Sequence, residues 1–210
     1  MAKYEIQDGT GIIPEGTTLV EENAFRDNET LRSVVIPDSV TEIGDAAFLG
    51  CSNLTSVVIP KSMKKIGRFA FKDCTSLSSI ELPHSIRVFE KGVFSHCSAL
   101  TQIRVPPLSS VKEFTFERCT GLTSIILPNT VKFILPWAFD NCTNLASVYL
   151  PKHLIEIAPD SFKDCPSLKT LFVPFGQADR IKSLLPKELQ GLVKELQTDD
   201  VIANNNSLQK

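Results

Sequence analysis

The chain has 210 residues, 22 Lys+Arg against 24 Asp+Glu, 42% hydrophobic residues, 13 Phe, 13 Pro, one Trp and six Cys. A net charge of −2 gives no overall electrostatic footprint for nucleic acid or an anionic membrane, and no apolar run approaches the roughly 20 residues needed to span a bilayer. The apolar content is enough to bury a core, which excludes wholesale disorder, while six cysteines fit three disulfides, a metal cluster or six inert thiols.

In chain order, the opening Met1-Ala2-Lys3-Tyr4-Glu5-Ile6-Gln7-Asp8 lacks the apolar centre of a secretory signal. Read as a complete chain, it is expected to remain in the cytoplasm. Residues 1–13 carry Tyr4, Ile6, Ile12 and Ile13 around an Asp8-Gly9 turn signal, and an N-terminal cap is expected there.

From Pro14 the sequence repeats. Cys51, Cys74, Cys97, Cys119, Cys142 and Cys165 follow one another at intervals of 23, 23, 22, 23 and 23 residues. Three residues before each stands a Phe (Phe48, Phe71, Phe94, Phe116, Phe139, Phe162), and three after each a Leu (Leu54, Leu77, Leu100, Leu122, Leu145, Leu168). Phe25, Asn28 and Leu31 make an earlier copy, so there are seven. Prolines keep the beat from Pro14 to Pro174, and the one short interval lies just after Pro106, at Pro107-Leu108.

Within a unit, runs such as Leu54-x-x-Val57-x-Ile59 end in period-two, β-branched residues and predict a short strand that the next proline terminates. The Ala-Phe half, as in Gly44-Asp45-Ala46-Ala47-Phe48, is too short for an independent helix and predicts one helical or 3₁₀ turn. A 23-residue unit cannot bury its own apolar face. Stacking identical units covers each by the next, which predicts a single solenoid domain.

The pattern I-P-x-S-V-x-x-I-G-x-x-A-F-x-x-C-x-x-L-x-S-V resembles the BspA-like subfamily of leucine-rich repeats, and residues 40–57 match it nearly throughout. The resemblance covers residues 14–173, with local departures where Glu90, Lys112, Leu135 and Ala158 replace the glycine and Asn28 the first cysteine. It implies an α/β leucine-rich-repeat solenoid of about seven coils, with one parallel sheet on the concave face and short helical or 3₁₀ turns opposite. It also implies proteins of the cell surface or secreted, binding host matrix proteins or other cells. An intracellular interaction scaffold is the competing expectation.

After the solenoid, residues 1–175 with the cap included, comes a segment with Ile181, Leu184, Leu185, Leu189, Leu192, Val193 and Leu196 at helical spacing. Residues 176–197 are therefore expected to form a helical C-terminal cap, split by Pro186. Residues 198–210 read as a disordered tail.

Chemistry finds no foothold. Cysteines in adjacent coils come within disulfide range, but side chains stacked in parallel point the same way, so buried thiols are expected. A linear stack does not close a tetrahedron, and no Cys-x-x-Cys or Cys/His pair at zinc-ligand spacing is present. His96 adjoins Cys97, but that thiol belongs to the core column, while His84 and His153 follow strand-ending prolines. No phosphate loop, nucleophile elbow or metalloprotease motif appears. The chain is expected to be no enzyme, to carry no cofactor or metal, and to bind neither nucleic acid nor the membrane interior.

A protein partner, its identity unknown from sequence, is expected on the sheet face. The outward column ten residues after each Phe reads Val35, Val58, Glu81, Arg104, Ile126, Tyr149 and Phe172. The neighbouring outward column is small and monotonous, Ser33, Ser56, Ser79, Gln102, Ser124, Ser147 and Thr170. Tyr and Arg concentrate at binding hot spots, so the patch is expected to centre on Arg104, Ile126, Tyr149 and Phe172, with Lys152 and Phe175 nearby. Other accounts of the column stay open: strand propensity alone, Tyr149 and Phe172 partly covered by the C-terminal cap, and a Glu81–Arg104 pair between adjacent strands.

Overall fold

Two stacks of short strands, joined by tight turns, wind through the computed structural model, which describes residues 4–197. The tail expected at 198–210 lies outside the described residues. The chain begins with β1 (Glu5–Gln7) and β2 (Thr10–Ile12), an antiparallel hairpin. Asp8 and Gly9 between them both take positive φ, 49° and 80°, as a two-residue hairpin turn requires. β2 then pairs in parallel with β4 (Ser33–Val35), and Tyr4 packs on Phe25 with ring centroids 5.4 Å apart.

The predicted strands form a first ladder. β4 pairs with β6 (Ser56–Val58), and farther along β10 (Ser124–Ile126), β12 (Ser147–Tyr149) and β14 (Thr170–Val173) pair in parallel. Partners such as Ser33 and Ser56 are one repeat apart, so each column of the sequence becomes a column in space. A second ladder, not expected from the sequence, runs beside it. It contains β3 (Leu19–Val20), β5 (Glu42–Ile43), β7 (Lys65–Ile66) and β8 (Val88–Phe89), then β9 (Ser110–Val111), β11 (Phe133–Ile134) and β13 (Glu156–Ile157).

Neither ladder is continuous: the expected parallel sheet falls into two parts, and so does the second ladder. The second ladder stops between β8 and β9, where the repeat is one residue short. The first stops after β6 and resumes at β10: residues 79–82 and 102–105 form no strand, although Thr101 N–H still donates to the Ser78 carbonyl at 3.1 Å. The missing residue, beside Pro107 with no N–H to give, puts β10 out of step with residues 102–105. Residues 79–82 lie a coil earlier at the ordinary spacing of 23 residues, and nothing in that spacing explains why they form no strand.

The Ala-Phe segment takes consecutive tight turns where a helical or 3₁₀ turn was expected. Its amides point to the neighbouring coil: Phe48 N–H donates to the Ala70 carbonyl at 2.8 Å, and Phe71 N–H to Val93 at 2.9 Å. Each coil from Phe25 to Phe139 turns through two left-handed positions, one just before the Cys place and one two residues before the Phe, such as Asp73 (59°) and Phe69 (54°), while the Phe162 coil keeps only the first, at Asp164 (51°). Outside glycine this backbone is costly. The inter-coil bonds stabilise it.

Inside lies one core. Phe25, Phe48, Phe71, Phe94, Phe116, Phe139 and Phe162 stack face to face, with centroids 5.1–6.0 Å apart. The widest step, 6.0 Å, is Phe94–Phe116, at the short repeat. Beside the rings, each thiol donates to the carbonyl of the previous coil's Phe, from Cys51 to Phe25 (3.0 Å) through Cys165 to Phe139 (3.0 Å). Asn28, which occupies the first place in this column, instead accepts from the Thr30 and Leu31 amides.

After β14 the chain forms α1 (Ala178–Leu184) and α2 (Lys187–Gln190), with Pro186 between them. Ile181 and Leu185 are buried in the core. Beyond Gly191 helical spacing gives way to β15 (Val193–Glu195), which adds in parallel to β14. An open strand edge offers unpaired backbone groups, and pairing satisfies them.

Candidate functional site

Alternation along the first ladder turns one residue in two outward, which places the columns of interest. Val34, Val57, Val148 and Leu171 point in and are buried. Val35 and Val58 point out and are 60% and 51% exposed. Glu81 is exposed, and Arg104, Ile126, Tyr149 and Phe172 are half-buried. The seven residues singled out from the sequence thus fall on one face, in three groups.

At one end Ile12, Val35 and Val58 form an aliphatic stripe on adjacent strands. At the other, Tyr149 and Phe172 stack with centroids 4.6 Å apart, next to Ile126 in register. Phe175, 65% exposed, lies just beyond. Between these groups the broken ladder opens a depression of about 590 Å³, lined by Glu81, His84, Gln102, Arg104 and Ile126 among others. Glu81 and Arg104 form no ion pair across it. The sequence could locate the missing residue but not the opening near it, because a repeat consensus assumes that every coil stacks.

The thiols face away from this surface. Burial pushes the Cys51 thiol up to about 11, and it pushes Cys74, Cys97 and Cys119 up as well. Cys142 is raised by its hydrogen bond with Cys165 and by burial. Cys165, half-buried at the open end of the column, is held below its ordinary value by the same bond. A protonated, buried thiol is a poor nucleophile. His96 directs Nδ1 to Asp73 Oδ1 at 2.9 Å, while Cys97 donates inward to the Phe71 carbonyl, so the two neighbours in sequence make no dyad. Among the described residues no group of three His, Cys, Asp or Glu is placed to hold a metal, and no helix is long and apolar enough to cross a membrane.

Comparison with known proteins agrees with this architecture. A family model described as a BspA type leucine rich repeat region matches residues 18–111 and 100–184, with six copies. A leucine-rich repeat protein of T. pallidum is 27% identical with a TM-score of 0.54, 89% of each chain being covered. A second, from Bacteroides ovatus, is 18% identical with a TM-score of 0.49, covering 92% of this chain and 74% of that one. Comparison with curated proteins finds no match. Leucine-rich-repeat proteins generally act through protein interaction and are generally non-catalytic. With its coils, its Phe and Cys columns and more than half its length matched, the chain belongs to the BspA-type leucine-rich-repeat family.

Proposed function

We propose that the chain is a non-catalytic recognition module whose protein partner lies on the outward face of the first ladder. The observation that carries this reading is the depression at the ladder break, flanked by an aliphatic stripe and by the Tyr149–Phe172 stack. Apolar and aromatic anchors beside an unpaired acid and base give a partner both buried area and orientation. Arg104 and Tyr149 are the expected hot spots, with Ile126 and Phe172 packing beside them and Val35, Val58 and Glu81 extending the contact. Resemblance to BspA-like surface proteins supports a host or cell-surface protein as the partner and an adhesive role.

The test is a pull-down from matrix, cell-surface and cytosolic extracts, with the wild-type chain and an Arg104→Ala/Tyr149→Ala variant side by side. A captured protein should fall at least about tenfold with the double variant, corresponding to loss of one to two hot spots. Equal capture by both removes the first-ladder face as the site. Capture confined to cytosolic proteins removes the adhesive role and leaves a scaffold.

A further inference from the structure

The second ladder carries a charge pattern that the recognition face does not use. Residues 14–45 hold eight acids and two bases, whereas residues 60–92 hold three acids and seven bases. The sign changes abruptly between the second and third coils, within single columns of the stack. In the column three residues before each core Phe, two acids give way to two bases: Glu22 and Asp45, then Arg68 and Lys91. One residue past each proline, Glu15 and Asp38 give way to Lys61 and His84. In the strand column Leu19, Glu42, Lys65 and Val88 follow one another in direct register.

Within each half, therefore, like charges stand on adjacent rungs, an arrangement that costs stability. Lys64 and Arg87 are tied by an inter-coil backbone bond of 3.0 Å, and Arg68 and Lys91 occupy neighbouring rungs in the same way. At the boundary the two halves meet, Lys65 Nζ standing 3.7 Å from Glu42 and the Arg68 backbone N–H donating to Asp45 Oδ1 at 2.7 Å, while Arg26 pairs with its neighbour Asp27 at 3.2 Å and Lys91 lies over the Phe114 ring at 4.7 Å. Leu19 and Val88, at the outer rungs, are 41% and 38% exposed.

We infer that this face pairs with a second copy of the chain about a two-fold axis parallel to the strands, lying between the second and third coils. Rotation about that axis reverses the stacking order and leaves each column opposite itself. Glu22 then meets Lys91 of the second copy, Asp45 meets Arg68, Glu42 meets Lys65, and Asp38 meets Lys61. Leu19 meets Val88, apolar on apolar. A two-fold axis along the stacking direction would instead set acid on acid. Self-complementarity of this kind is what a closed, isologous contact demands.

Four rungs at about 4.8 Å and a side of roughly 20 Å give a patch on the order of 400 Å² per partner, half the ~800 Å² of a standard interface. Association is therefore weak, concentration-dependent and governed by salt.

Sedimentation equilibrium of the full chain tests this at about 0.03 and 0.5 M salt. The expected result is a monomer–dimer equilibrium whose dissociation constant rises at least about tenfold at the higher salt. Glu22→Lys/Asp38→Lys and Lys61→Glu/Lys91→Glu should each be monomeric alone, with circular dichroism confirming the fold. Mixed one to one, they should dimerise, because each altered half then meets its opposite. A wild type that stays monomeric at about millimolar concentration and low salt overturns the inference, as does a pair of variants that dimerise like the wild type or fail to dimerise when mixed. A monomer that instead takes up an added polyanion on the basic half makes the partner a foreign acidic one and equally overturns it.

Discussion

Replacing Phe71 by Ala tests the ring stack directly. The Phe71 side chain is fully buried, with Phe48 5.1 Å to one side and Phe94 5.6 Å to the other, both nearly parallel to it. Removing the ring forfeits burial of about 150–200 Å² of apolar surface, or about 4–5 kcal/mol at 25 cal/mol per Å². The two ring contacts, about 0.5–1.5 kcal/mol each, overlap with that figure, and relaxation of the coils recovers part of it. The net expectation is a loss of about 3–5 kcal/mol, which can consume most of a typical domain's stability. Urea unfolding followed by circular dichroism measures it, and Phe71→Leu, expected to lose about 1–2 kcal/mol, keeps the measurement within range. Because each coil contacts only its neighbours, Phe71→Leu and Phe94→Leu together should deviate from additivity. Phe48→Leu with Phe139→Leu, four coils apart, should add. A loss below about 1 kcal/mol for Phe71→Ala, or the same coupling for both pairs, would refute the picture of a continuous stacked core.

The thiol column makes stability fall with rising pH. Cys51, Cys74, Cys97, Cys119 and Cys142 are raised in the fold, so their contribution is complete below the ordinary thiol value near 8.5–9 and is lost as pH climbs toward 11, each unfolded thiol adding about 1.4 kcal/mol per pH unit. Urea midpoints at successive pH values should drop across that window, less steeply in Cys97→Ala, and equal slopes for the two proteins would contradict the assignment. Under native conditions iodoacetamide should modify Cys165 first, the thiol that is half-buried and lowered, and mass spectrometry finding Cys97 labelled equally fast would argue against the inward hydrogen bonds. Gly92→Ala should cost about 1–2 kcal/mol, since Gly92 sits at φ 66° and a new Cβ would stand 2.3 Å from the Phe69 ring. Adding Phe69→Ala should return part of that loss, and an unchanged melting temperature in Gly92→Ala would rule out the contact.

The periodicity made the seven coils, the inward Phe and Cys columns and the outward column from Val35 to Phe172 legible in the chain, because each depends on spacing alone. The second ladder escaped notice for a local reason: pairs such as Glu42-Ile43 and Lys65-Ile66 are two residues long, too short for a period-two signal. The Ala-Phe turn was misjudged for a non-local one, its amides being claimed by the next coil, as Phe48 N–H is by Ala70. At the far end Leu189, Leu192, Val193 and Leu196 keep helical spacing, yet the open edge of β14 takes Val193–Glu195 as a strand.

The sequence by itself determined that this protein is a stack of 23-residue coils and which side chains face its core, since a unit that short buries its apolar residues only against copies of itself. Where the stack falters was decided by the tertiary structure. One missing residue beside Pro106-Pro107 reads as a minor irregularity in the repeat, but in three dimensions the second ladder stops there, and the first is open from residues 79 to 105, leaving the depression between Glu81, Arg104 and Ile126. Ladder hydrogen bonds require neighbouring coils in step, a condition between distant segments that no single repeat contains.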